Sequence, residues 1–427
     1  MSAGLAVLFA VFIAAVLIDA PIAIALGLAS IAYILVSDTA PLMVAAQRTV
    51  AGLDSFTLLA IPLFVLAGGL LTRSGLTERI VRLCSALVGQ VRGGLALAMV
   101  VACMLFGALS GSGVADVVAI GTLLLPAMQK RGYPVGYSCA LLGCAGSLGT
   151  VIPPSIVMIV YGVATSTSIG QLFMAGIIPG ILSGLALMGV AWFHARRQGW
   201  GGTEHFTWAE LLGALKSSAL ALVAPILIVG GIRSGAFTAT EAGGIGVAYA
   251  LLVGLLVTRT MRLADIWDEL KRAAEISGAI LLVIATASLF GWILAAERTP
   301  QLVGQWMVSV TDSRFVVLLL LMALLLILGT FMETIAIILI LAPIFSALFA
   351  RYGIDPVHFG LLLTLNLAIG ANTPPLGIDL MAACRVAGIP MSDSFRYLGP
   401  FLLAMIAVML LVLFVPALAT WLPRTTF

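Results

Sequence analysis

The sequence predicts an all-α integral membrane protein made of inverted structural repeats, with two re-entrant helical hairpins and two broken helices. Three observations predict it. Hydrophobic residues make up 62% of the 427 and charged ones only 9%, where soluble domains carry roughly 25% charge. Apolar runs long enough for a bilayer, which takes roughly 20 helical residues, recur along the whole chain. Two of these runs are interrupted by double prolines, Pro153-Pro154 and Pro374-Pro375, at equivalent places in the two halves.

The elements follow in order. Ten crossings are expected near 4–18, 22–37, 56–72, 134–164, 171–193, 217–232, 238–258, 276–296, 356–384 and 397–420. The segments 41–52, 76–90, 207–216 and 262–275 mix apolar and charged residues and read as amphipathic helices bracing the membrane interface. Two further apolar blocks, 94–129 and 315–350, carry a polar, glycine-containing centre, "FGALSGSGVADVVAIG" and "LGTFMETIAIILI". Each arm is about 15 residues, short for a span, so a re-entrant hairpin fits; two ordinary packed helices are the alternative. At 134–164 and 356–384 the double proline removes backbone donors, and the neighbouring glycines carry no helix preference, so neither segment can run as one helix.

Charge supports an inverted arrangement. With both hairpins entering and leaving on one side, fifteen of the 21 basic residues share a face, which the positive-inside rule assigns to the cytoplasm, with both termini outside. The hairpins then open to opposite faces. "YPVGYSCALLGCAGSLGTVIPP" after the first is matched by "DPVHFGLLLTLNLAIGANTPP" after the second, and Pro179 and Pro400 each lie 25 residues beyond their double proline, at an offset of 221. The chain divides accordingly into N-terminal scaffold helices (1–93), a first repeat (94–193), central scaffold helices (194–314) and a second repeat (315–427). Inverted repeats with paired interrupted helices are the architecture of secondary transporters, whose sites form where the interruptions meet.

Other functions are disfavoured. The formal charge of +3 is spread over loops and gives no reason to expect nucleic acid as a partner. The five cysteines show no CxxC spacing and read as small apolar fillers. His194, His205 and His358 are too scattered for a metal site. None of the three lysines belongs to a GxxxxGK[ST] loop, so this chain does not cradle ATP that way and an ion gradient or a partner must drive it. The first basic residue is Arg48, so no charged leader precedes the apolar run near Gly4, which is expected to remain as a membrane segment starting at Met1.

The chemistry should gather at the interruptions. Unwound helix frees carbonyl oxygens, and hard cations take several oxygens, which predicts two sodium sites. One places Gly149 and Thr150 against Ser110 and Ser112; the other places Gly370 and Thr373 against Gly329, Thr330 and Glu333. The plainer reading is that these hydroxyls bond backwards within a helix. Helix starts after Gly113 and Thr334 offer unpaired N–H groups to a substrate carboxylate, with Pro154, Asn372 and Pro375 alongside. Asp116 either supports its helix N-terminus or contacts an ion or substrate. Arg385 either ends its helix at the cytoplasmic face or grips a carboxylate. Asp379 is a further intramembrane candidate, and Glu241 reads as a first-turn acid.

Four stretches, "FGALSGSGVADVVAIGTLLLPAM", "GTVIPPSIVMIVYGVATSTSIGQLFMAGIIPGIL", "GAFTATEAGGIGVAYAL" and "NTPPLGIDLMAACRVAGIP", together resemble the large membrane subunit (DctM-like) of tripartite ATP-independent periplasmic (TRAP) transporters, over nearly the whole chain. The resemblance implies an elevator-type, sodium-driven importer of an organic acid such as a dicarboxylate, keto acid or sugar acid, multi-pass in a bacterial inner membrane. It also implies a small four-helix membrane subunit and a periplasmic substrate-binding protein as partners, sodium as the coupling ion, and no other cofactor. Ala239 stands where the family usually has proline, and Asp116, Asp379 and Arg385 stand where neutral residues are commoner. The alternatives are a stand-alone sodium/carboxylate symporter and an ion channel. An intramembrane enzyme lacks any nucleophile with a base or metal cluster at usable spacing.

Overall fold

The computed structural model describes residues 3–38, 40–200 and 207–426; Met1 and His205 lie outside the described residues. Among these the chain is helical, with no strand. Helices α1 (Ala3–Leu17) and α2 (Ile22–Ser37) pair, α3 (Met43–Ala51) is a short arm, and α4 (Ala60–Arg73) and α5 (Leu76–Val88) follow. The first hairpin is α6 (Gly94–Ser110) and α7 (Gly113–Lys130); the first interrupted helix is α8 (Val135–Gly146) and α9 (Ile156–Thr165). Then come α10 (Ile169–Gln198), α11 (Trp208–Arg233), α12 (Ala239–Leu251), α13 (Leu263–Ala296) and α14 (Thr299–Val310). The second hairpin is α15 (Arg314–Gly329) and α16 (Thr334–Tyr352), the second interrupted helix α17 (Pro356–Gly370) and α18 (Ile378–Ala387), and α19 (Phe395–Phe414) and α20 (Ala417–Thr426) end the chain.

Eight helices are long and apolar enough to cross a membrane, or nine if α14 and α15, bent by 119°, count as one span. Ten crossings were expected, and the difference has identifiable causes. Helices α1 and α2, at 15 and 16 residues, are too short to count, and both interrupted segments split into halves of 10 to 15 residues. Two of the eight are the hairpin arms α7 and α16, at 18 and 19 residues rather than about 15, because the helix continues past the apolar run through Gln129-Lys130 and Arg351-Tyr352.

The bracing segments also differ from expectation. Residues 262–275 and 276–296 form one helix, α13, of 34 residues, about 51 Å long at 1.5 Å per residue against a hydrocarbon core of roughly 30 Å. No proline separates the two parts, so the amphipathic turns run straight on and carry Asp265, Glu269 and Arg272 beyond the apolar stretch. Likewise 207–216 and 217–232 are the single helix α11. Helix α14 was not anticipated; Pro300 in its first turn and the apolar spacing Leu302, Val303, Trp306, Met307, Val310 are its sequence signal.

The core is built around α8 and α17, in which every residue from Gly136 to Gly146 and from Val357 to Gly370 is buried, as expected of helices apolar all round. The halves exchange partners: α9 packs on α16, while α18 packs on α7 and α8. Helices α4, α5, α11, α12 and α13 form a second layer, α4 lying on α12 and α13. A separate small core joins α1, α2 and α13 around Leu26, Tyr33 and Phe290, closed by Tyr33 donating to Glu297 at 2.6 Å.

Candidate functional site

Each hairpin crosses its interrupted helix where two glycines face one another. A Cβ on Gly370 would stand 2.9 Å from the Cα of Gly329, and one on Gly107 would stand 2.6 Å from the Cα of Gly149. Neither pair tolerates a side chain, so backbone meets backbone. Main-chain hydrogen bonds then tie each tip to the residues after the double proline: Ile156 N–H donates to Gly111 O (3.4 Å), and Leu376 N–H to Thr330 O (3.1 Å). Both double prolines contain a cis peptide. Gly111 closes the first tip at φ +65° with the Pro154 carbonyl against its Cα, a conformation and a clearance that suit glycine.

At the first crossing Ser110, Ser112, Gly113, Asp116, Gly149, Thr150 and Pro154 come together. Helix α8 ends at Gly146, a 3₁₀ turn covers Ser147–Thr150, and Ser155 caps α9 by accepting from Met158 N–H. Asp116 is fully buried. One of its oxygens accepts from the Ser110 hydroxyl; the other, Oδ2, has no hydrogen-bond partner among the described residues and faces Gly107 and Gly149. A buried carboxylate oxygen left unpaired is costly, which marks the position where a cation or proton would be stabilised.

At the second crossing Gly329, Thr330, Gly370, Thr373 and Asn372 meet. The hydroxyls of Thr150, Thr330 and Thr373 donate to Ser147 O, Ile327 O and Ile369 O at 2.7, 2.7 and 2.8 Å. This is the backward bonding of the plainer reading, and it leaves their lone pairs as acceptors. Asn372 donates to Ala368 O at 3.0 Å, while its Oδ1, buried and unpartnered among the described residues, points at Gly143 of α8. Pro375 is exposed and Thr334 half-buried.

Of the two helix starts expected to hold a substrate carboxylate, that of α16 is occupied by one of the protein's own acids, and that of α7 has another beside it. Glu333 caps α16, accepting from Ile335 and Ala336 N–H at 2.9 and 3.1 Å. The buried Asp379 carboxylate lies against Gly113 at the start of α7, where any Cβ would strike it. Asp379 is reached only because α18 packs on α7, so it gave no local signal beyond being a charge in an apolar run. Arg385 is exposed in the last turn of α18, about 12 Å along the axis from Gly377, and does not join either crossing. Glu241 is a first-turn acid, completing the capping box of α12 with Thr238.

Sequence reasoning missed a second charged group. On α4, Gly68 would place a Cβ 3.1 Å from the Cα of Ser110, and a side chain at Gly69 would strike the Glu269 carboxylate. Glu269, 4% exposed, pairs with Arg73 at 2.9 Å, and Asp265 lies 3.8 Å from the same guanidinium. The adjacent glycines of α4 were the available signal. Arg73→Ala is expected to cost about 1–2 kcal/mol, less than a fully buried pair because the guanidinium is 47% exposed and water can replace it, with most of the loss recovered in the Arg73→Ala, Glu269→Gln double variant; thermal denaturation of the purified protein checks both. All five cysteines are free and buried, and no group of His, Cys, Asp or Glu among the described residues could hold a multiply coordinated metal.

Comparison with known proteins gives a consistent result. The family model "Tripartite ATP-independent periplasmic transporter, DctM component" matches residues 9–418. The isethionate TRAP transporter permease protein DctMQ of Oleidesulfovibrio alaskensis is 40% identical over 97% of this chain; the chain spans 65% of that relative's length. The C4-dicarboxylate TRAP transporter large permease protein DctM of Rhodobacter capsulatus is 37% identical over 98% of both chains. Among solved structures the YdaH transporter of Alcanivorax borkumensis superposes with a TM-score of 0.63 at 16% identity, covering 88% of each chain, a likeness of fold.

Proposed function

The chain belongs to the DctM family, the large permease component of TRAP transporters in the bacterial inner membrane, and on that premise we propose that it imports a small organic acid driven by sodium. It is a multi-pass membrane protein, and its relatives are named as permeases rather than enzymes. The observation that carries the proposal is the first crossing, where a hairpin tip, a broken helix and an orphaned Asp116 oxygen meet. Sodium fits that oxygen together with the acceptor hydroxyls of Ser110, Ser112 and Thr150; Thr330, Thr373, Gly329 and Gly370 line the second site.

The exchange of α9 and α18 between the halves supports inverted repeats, with 94–193 and 315–427 as the moving unit of an elevator and 1–93 and 194–314 as its scaffold. Re-entrant hairpins follow from the same reading, with the non-helical first tip buried by protein and the second buried at Gly329 and Thr330 but exposed at Phe331. The solute is an anion, since both relatives are named for anions. The partners are a small membrane subunit and a periplasmic binding protein. Two sodium ions crossing 100 mV down a tenfold gradient supply about 7 kcal/mol to a neutral solute; a dianion cancels the electrical part and leaves about 2.8 kcal/mol, so net inward current, though not import itself, then needs a third ion.

Proteoliposomes holding the chain with its small subunit test this, using labelled C4-dicarboxylates, sulfonates and sugar acids with a sodium jump, with and without the binding protein. Uptake of one acid is expected only with sodium and binder together. Uptake undiminished in choline would overturn sodium coupling, and uptake without binder would make the chain a stand-alone symporter.

A further inference from the structure

Resting on the transport reading, we propose that Arg272, beside the Arg73 and Glu269 pair, binds the acid group of the solute from the scaffold side. Of the two hairpin helix starts that would otherwise take an anion, that of α16 is capped by Glu333 and that of α7 has the Asp379 carboxylate against Gly113, whose like charge repels a second anion, so the charge is read elsewhere. A cavity of about 160 Å³ separates the first hairpin tip from the scaffold. It is smaller than the 300–1,000 Å³ of drug-sized ligand sites and suits a small anion. Ser110, Ser112 and Ala115 form one wall, and Arg73, Glu269 and Arg272 the other.

Among the residues that line the cavity, Arg73 and Arg272 outnumber Glu269 by one charge. Arg73 is neutralised by Glu269 and supported by Asp265, and Asp268 pairs with Lys271 at 3.7 Å. Arg272 has no ion pair and no hydrogen bond among the described residues, and the Ser112 hydroxyl opposite it donates to nothing there. An anion in the cavity would therefore meet a forked guanidinium donor on one side and a free hydroxyl on the other. The seat depends on which tip faces the scaffold, so the same guanidinium would read the solute in only one state of the transport cycle.

The test needs no knowledge of the solute. Ala115→Cys and Val118→Cys, each lining the cavity, are made in the full chain in its native membrane and reacted with anionic MTSES and cationic MTSET, normalised to β-mercaptoethanol. The anionic reagent is expected to be favoured by about fivefold for one nearby charge, with the preference lost in Arg272→Gln and kept in Arg272→Lys. A preference unchanged by Arg272→Gln, or cysteines inert to both reagents at both positions, overturns the proposal. Charge selection that persists where the uptake experiment fails would leave this anion site standing and remove the transport reading instead.

Discussion

Gly149→Ala is expected to raise sharply the sodium concentration that uptake requires while the protein still inserts and folds. The added Cβ would run into the Asp116 carboxylate and lie 3.3 Å from the Cα of Gly107. Neither neighbour can give way cheaply: one is backbone, the other a fully buried acid held by Ser110. The hairpin tip must shift off the break, at the ~1–3 kcal/mol typical of overpacking, which is about a 5- to 140-fold loss of ion affinity at 1.4 kcal/mol per tenfold. Gly189→Ala, in α10 where a Cβ meets nothing within 4 Å, is the control, with stability unchanged or raised by up to ~1 kcal/mol. Sodium titration of uptake distinguishes the two variants. Wild-type sodium affinity in Gly149→Ala would mean that the crossing is not where the ion binds.

Asp116→Asn is expected to erase the stabilisation by sodium without disturbing the fold. Asparagine keeps the shape and the acceptor for the Ser110 hydroxyl but removes the charge from the oxygen that faces Gly149. At tenfold over its dissociation constant an ion that binds only the folded state stabilises by about 1.4 kcal/mol. Melting of the purified protein in sodium against choline, followed by tryptophan fluorescence, should show that increment in the parent and none in the variant. The rival role, a first-turn acid complementing the start of α7, is worth only ~0.3–1 kcal/mol and leaves the sodium response intact. A full sodium shift in Asp116→Asn would return the residue to that role.

The interruptions were legible for a local reason. Proline lacks a donor and clashes with the preceding turn wherever it stands in a helix interior, so Pro153-Pro154 and Pro374-Pro375 announced both breaks. Ser110 to Gly113 announced a tip by placing four small residues inside an apolar run. Thr150 and Thr373 were read correctly as lying in the breaks, and their backward hydrogen bonds were the plainer of the two readings offered. Legibility failed where two distant segments had to be placed together. The glycine crossings needed Gly107 as well as Gly149, and Gly107 lies in an unremarkable helical position. The Arg73 and Glu269 pair joins residues 196 apart, and no periodicity relates them.

The sequence by itself determined the membrane class, the helical content, both hairpin tips and both breaks, because hydrophobicity, proline and glycine act on their own few residues. Only the tertiary structure decided which charged group meets which partner: Asp379 at the start of α7, Asp116 at the Gly107–Gly149 crossing, Glu269 on Arg73, and Arg385 out of the site. A carboxylate's role depends on which donors or charges lie within about 3–4 Å. In a bundle those neighbours come from helices far away in the chain.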